Sequence, residues 1–180
     1  SGLRINELLA LTKNDLNFLT SEINVDKTLV WKKANKKLGT KGKVICKKTP
    51  KTDAGNRSVP VPKEILMGLE SVHREMNTYF EKHNLPLSIL IFTTIYGNYM
   101  TDRNERATLK KRLAEAGLPI YGFHLFRHTH ASLMLNAGVN RKELQIRMGH
   151  KSISTTVDLY AELAPNKKYE AVDIYLNKIN

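Results

Sequence analysis

The run Phe123-His124-Leu125-Phe126-Arg127-His128-Thr129 opens a stretch whose apolar residues keep a helical period as far as Ala137, with Gly138 behind it where a C-cap glycine belongs. His124 and Arg127 lie three apart, so a helix sets them on one face while Leu125 and Phe126 face elsewhere. An imidazole beside a guanidinium suits a phosphate oxyanion. Working outward, the same period predicts helices over residues 3–10, 63–82, 101–116, 141–148, 154–163 and 165–179, with Gly117 as a second explicit stop. Residues 18–25, 27–33, 43–48 and 57–61 are short and rich in Val, Ile, Leu and Thr. Gly39, Gly42, Asp53 and Gly55 separate them, which predicts a small antiparallel sheet. Residues 89–93 read as a buried strand or extended connector, and Thr12 with Asp15 as a capping-type turn. The fold class is therefore α+β, a mainly helical domain with a small antiparallel sheet on one edge.

The composition agrees with a single domain: 180 residues, 41% of them hydrophobic, suffice for one core and hardly for two. No repeat or low-complexity linker divides the chain. Lys and Arg number 29 against 17 Asp and Glu, and the net charge of +12 is the footprint of a protein that meets a polyanion. Nucleic acid is the first candidate, because apolar runs such as residues 87–92 fall far short of the roughly 20 residues a membrane helix needs. The lone cysteine, Cys46, has no partner for an internal disulfide and reads as a small buried strand residue in a cytoplasmic protein. No secretory signal is visible, and the abrupt entry into a helical pattern at Leu3 suggests an excised domain or fragment.

Four further features carry polar chemistry. Arg4 has Glu7 three residues on, where the carboxylate can orient the guanidinium. In the segment Lys51-Thr52-Asp53-Ala54-Gly55-Asn56-Arg57-Ser58-Val59-Pro60, Asp53 to Asn56 form a hairpin turn with Lys51 at its base. Lys47 and Lys48 crowd the same region, and Lys51 is favoured because it alone directly precedes the Thr and the turn. Met148-Gly149-His150 sets a histidine at a helix end, and Tyr160 follows ten residues later near the end of a short amphipathic helix. His128 and His130 invite a metal reading, but His124 and His128 lack the intervening Glu of a zincin motif and no acidic cluster is near.

Arg4, Lys51, His124 with Arg127, His150 and Tyr160 occur in the order and context of the catalytic domain of tyrosine recombinases, the phage integrase family, which the chain resembles over essentially its whole length. The style is most similar to integrases of Gram-positive phages and conjugative transposons. The resemblance implies a single catalytic domain over residues 1–180, with the family's amino-terminal DNA-binding domain absent from them. It also implies the roles. Tyr160 attacks a backbone phosphate, Arg4 and Arg127 hold the charge that develops on its oxygens, and Lys51 protonates the leaving 5′-oxygen. His124 assists proton transfer at the tyrosine, and His150 hydrogen-bonds the phosphate. The product is a 3′-phosphotyrosine, and neither metal nor nucleotide cofactor is required. The implied partners are double-stranded DNA at attachment sites and further copies of the chain, a monomer when free and a tetramer on DNA.

These residue types suit such a step. A tyrosine with a pKa of about 10 is a poor nucleophile at neutral pH and needs positive charge or a base beside it. Fixed guanidiniums stabilise a phosphorane-like charge bidentately. Two other readings share part of the pattern: a DNA-binding module that does not use Tyr160, and a relaxing enzyme like the type IB topoisomerases. The tail carries Tyr169, Val172, Ile174, Tyr175 and Ile179 at helical spacing, an apolar face that must be buried in its own domain or on a neighbour.

Overall fold

A computed structural model describes residues 1–34, 41–48, 56–150 and 152 of the chain. Lys51, Tyr160 and the two helices expected over 154–163 and 165–179 lie outside the described residues. The described elements run α1 (Ile5–Leu8), a 3-10 turn (Lys13–Asp15), β1 (Leu16–Asn17), β2 (Glu22–Val25), β3 (Lys27–Lys32), β4 (Lys43–Lys48), β5 (Arg57–Pro60), α2 (Lys63–Lys82), α3 (Asp102–Glu115), α4 (Phe123–Asn136) and α5 (Arg141–Met148). None of these helices is long and apolar enough to cross a membrane.

The strand pairing departs from the expected single sheet. Among the described residues, β1, β2 and β5 form one antiparallel sheet in the order β1-β2-β5, while β3 and β4 pair separately. The chain changes partner at Asp26: Val25 still faces Arg57, and Lys27 already faces Lys48. Lys27 anchors that corner, its ammonium 2.5 Å from Asp15 and 3.1 Å from Asp26. Asp15 itself accepts from the backbone N–H and the hydroxyl of Thr12, both at 2.7 Å, so the expected capping turn is present. The strand expected over 18–25 is shorter, because the Asn17 side chain accepts from the amides of Leu19 and Thr20 and bends the chain before Glu22. Residues 89–93 form the extended connector, with Lys13 donating to Ile89 and Ile91 donating to Leu11.

Alternation along the strands builds the larger core. Ile23, Val25 and Val59 point inward and pack with Leu11, Leu16, Val61, Leu66 and Ile91. A second cluster, Ala131, Leu135, Leu144 and Met148, joins α4 to α5. Cys46 is half-buried on β4, where it packs beside Leu29 rather than disappearing into the interior. The strands β4 and β5, which flank the segment containing Lys51, belong to the two different sheets.

Candidate active site

The first helix is shorter than its sequence period, and the reason lies in Arg4. Its backbone is extended (φ −70°, ψ 146°), so it caps α1 instead of belonging to it. Its N–H donates to Glu7 Oε2 at 2.9 Å, and its Nη1 donates to Glu7 Oε1 at the same distance. The expected Arg4–Glu7 pair therefore exists as a helix N-terminus, where a carboxylate also satisfies an unpaired donor. The Arg4 side chain stays 42% exposed while that of Glu7 is 5% exposed.

A third member of this cluster was legible only as an ordinary strand residue. Arg57 of β5 sits on the same inward face as Val59, and its side chain is 2% exposed. It donates through Nη1 and Nη2 to the two oxygens of Glu7 at 3.2 and 2.8 Å. The signal was an arginine at a position that strand alternation assigns to the core, where an unpaired charge would be prohibitive. Burial pushes the Glu7 carboxyl upward, but the hydrogen bonds and charges of Arg57 and Arg4 outweigh it and hold the group below its ordinary value. Glu7 is thus a carboxylate at neutral pH.

Arg127, on α4, is likewise buried, with hydrogen bonds from Nη1 to the Gly2 carbonyl and from Nη2 to the Met148 carbonyl. Burial, and next the charge of Arg4, lower its guanidinium to about 10, which leaves it charged at neutral pH. Gly2 has φ +70°, and a Cβ there would stand 2.5 Å from the His130 ring and 2.8 Å from the Met148 sulfur. Only glycine lets its carbonyl approach Arg127 so closely.

The end of α5 gathers these groups. Arg57 Nε donates to the carbonyl of Arg147 at 2.8 Å, Arg127 to that of Met148, and Arg4 Nη2 to that of Gly149 at 2.9 Å. Three consecutive carbonyls, among those a helix C-terminus leaves without partners, thus receive three guanidiniums from three separate elements. The negative end of the helix dipole favours the arrangement. Gly149 turns the chain in the left-handed region (φ 62°, ψ 44°), and His150 follows directly.

Both histidines respond to this charge. His150 is lowered to about 4 by burial first and then by Arg127, Arg4 and Arg57. His124, on α4, is lowered by the partial desolvation that its mostly exposed ring undergoes, then by the neighbouring His128, and then by Arg127 and Arg4. The rings of His124 and His128 meet edge to face at 5.2 Å. His130 accepts from Arg147 Nε at 3.1 Å, so it serves the α4–α5 contact. Of the expected residues, Arg4, His124, Arg127 and His150 are thus brought into one electrostatic cluster.

The fold is that of tyrosine recombinase catalytic domains. The Tn1549 transposon integrase, solved in complex with transposon right end DNA, matches 98% of this chain and 55% of its own with a TM-score of 0.75 and 25% identity. XerA recombinase matches 98% and 53% with a TM-score of 0.64 at 19% identity, a likeness of fold. The chain belongs to the phage integrase family, whose pattern its residues 1–167 match. A XerC-like tyrosine recombinase of Caldanaerobacter subterraneus subsp. tengcongensis is 32% identical over 96% of this chain and 46% of that protein. The ICEBs1 integrase of Bacillus subtilis is 28% identical over 96% and 45%. The chain spans about half the length of these curated relatives.

Proposed function

We propose that this chain is the catalytic domain of a site-specific recombinase that breaks and rejoins double-stranded DNA in the cytoplasm, integrating or excising a mobile element. The observation that carries the reading is the convergence of Arg4, Arg127 and His150 on one helix end, with His124 within electrostatic reach. Among the described residues, Glu7 is the one carboxylate paired with Arg4 and Arg57, and no acidic side chain pairs with Arg127. The cluster keeps an excess of positive charge suited to a phosphate diester.

In this reading the Tyr160 oxygen attacks phosphorus and the bond to the 5′-oxygen breaks. His124 assists removal of the tyrosine proton, and Lys51 delivers a proton to the departing oxygen. Arg4 and Arg127 stabilise the charge on the non-bridging oxygens, a type of contact whose removal typically costs about 100- to 1000-fold in rate. His150, neutral at pH 7, can donate one hydrogen bond to the phosphate. The 3′-phosphotyrosine conserves the bond energy, so a second 5′-hydroxyl reverses the step and joins a new strand. The chain is a monomer when free and works as a tetramer on paired attachment sites.

The test is a nicked suicide duplex carrying the attachment site, with the cleaved strand labelled at its 5′ end. A covalent band should appear on a denaturing gel with the wild-type chain and vanish with Tyr160→Phe, whose DNA affinity should stay nearly unchanged. Equal bands from both proteins would overturn the assignment of Tyr160. Site-specific binding without any band would favour a DNA-binding module, and relaxation of plasmid lacking the site would favour a topoisomerase.

A further inference from the structure

We infer that Arg57 is a positioning residue for the reaction proposed above, holding Arg4 and the turn before His150 in register through Glu7 and the end of α5. The inference rests on that functional reading for its consequence, and on geometry for its substance. Glu7 receives four hydrogen bonds: Oε1 from Arg4 Nη1 and Arg57 Nη1, and Oε2 from the Arg4 backbone and Arg57 Nη2. Half of the restraint on the carboxylate that aims Arg4 therefore comes from Arg57. The remaining nitrogen of the same guanidinium, Nε, is spent on the Arg147 carbonyl, one peptide before Met148 and two before Gly149.

The two arginines on Glu7 are distinguished by exposure. The Arg4 side chain is 42% exposed and so can meet a ligand, whereas that of Arg57 is 2% exposed and each of its nitrogens already donates. Arg57 consequently acts through other groups and does not touch the phosphate. A planar fork is required, since one rigid guanidinium spans two carboxylate oxygens and a carbonyl from another element. A lysine, a single point charge on a flexible stem, cannot reproduce that span.

The decisive variant is Arg57→Lys in the full chain, which keeps the charge beside Glu7 but removes the fork. Three readings are taken with a pool of 5′-labelled nicked duplexes randomised around the nick: covalent adduct rate, DNA affinity and thermal melting. A fourth needs no DNA: the Nε–H cross-peak of Arg4 in a nitrogen-15 proton spectrum, assigned with Arg4→Lys. We expect a folded protein whose adduct rate falls by about 100-fold, the usual scale for a misplacement of roughly 1 Å. DNA affinity should stay within about threefold and the Arg4 cross-peak should shift although residue 4 is unchanged. A rate within threefold of wild type, or an Arg4 cross-peak unmoved in the folded variant, overturns the proposal and leaves Arg57 a stabilising residue only. If Arg57→Lys does not fold, Arg57→Gln takes its place, with the same rate loss and shifted cross-peak expected and an unmoved cross-peak again overturning it. Should the wild-type chain give no more adduct than Tyr160→Phe, the functional reading fails separately. The Arg4 cross-peak then decides alone whether Arg57 positions that side chain.

Discussion

His150 holds its place under three guanidiniums by staying neutral. Its pKa of about 4, against an ordinary 6.5, follows from burial first and from Arg127, Arg4 and Arg57 after it. Between those values the unfolded chain binds the proton more readily than the folded one, so stability rises with pH across the window and is lost as pH falls through it. Above about 6.5 the group adds no further dependence. The expected outcome is that the wild-type melting temperature drops between pH 6.5 and 4 more steeply than that of His150→Gln, measured by circular dichroism in matched buffers. Parallel curves for the two proteins would mean that the imidazole is not held neutral by this environment.

At the scale of elements, α5 matters for where it ends. Eight residues are too few for a helix to persist alone in water, and its capped C-terminus is part of what holds it. Arginines on the carbonyls of residues 147–149 complement the dipole, and the left-handed Gly149 directs the chain toward His150. Replacing Gly149 by Ala forces a Cβ into that backbone region, a strain of about 1–2 kcal/mol. Denaturant unfolding should therefore show a lower midpoint with an unchanged slope, and the covalent adduct rate should fall with it because the Gly149 carbonyl also receives Arg4. An unshifted midpoint would show that the turn relaxes at no cost. Helix α3 makes the contrasting case: it buries no residue and is held by local pairs such as Arg106 with Asp102 at 2.7 Å and by the Thr101 cap. Its sequence period of apolar residues amounts to Leu109 and Leu113, both only half-buried.

Across the whole molecule, the candidate site lies where two of the three hydrophobic clusters of the described residues meet. The β1-β2-β5 sheet and α2 pack around one, α4 and α5 around the other, while β3 and β4 pack with Leu9 and Ala10 in a third; the arginine contacts from Arg4, Arg57 and Arg127 cross between the first two. In the function proposed above, a phosphate backbone would be held along this seam. With a net charge of +12, binding to duplex DNA should release condensed counterions, and the logarithm of the affinity should fall linearly with that of salt, by about 0.9 for each phosphate neutralised. Fluorescence anisotropy with a labelled duplex between low and physiological salt measures the slope. A flat line would point to an acidic protein partner instead of DNA.

How much of this was legible in the sequence depends on the range of the interaction. Local period and spacing determined α2 to α5, the stops at Gly117 and Gly138, the Thr12–Asp15 turn and the pairing of Arg4 with Glu7, because each is decided within a few residues. Spaced motifs, through the family they resemble, marked Arg4, Lys51, His124, Arg127, His150 and Tyr160, of which Lys51 and Tyr160 lie outside the described residues. Tertiary structure alone decided that the strands divide into two sheets at Asp26, since partner choice depends on residues far along the chain. It alone decided that Arg57 is buried against Glu7, 50 residues away, and that three arginines share the end of α5, up to 145 residues from one of them. A helix leaves its last carbonyls unpaired wherever it ends. Only the folded chain determines which distant donors reach them, because that depends on how the hydrophobic clusters are packed together.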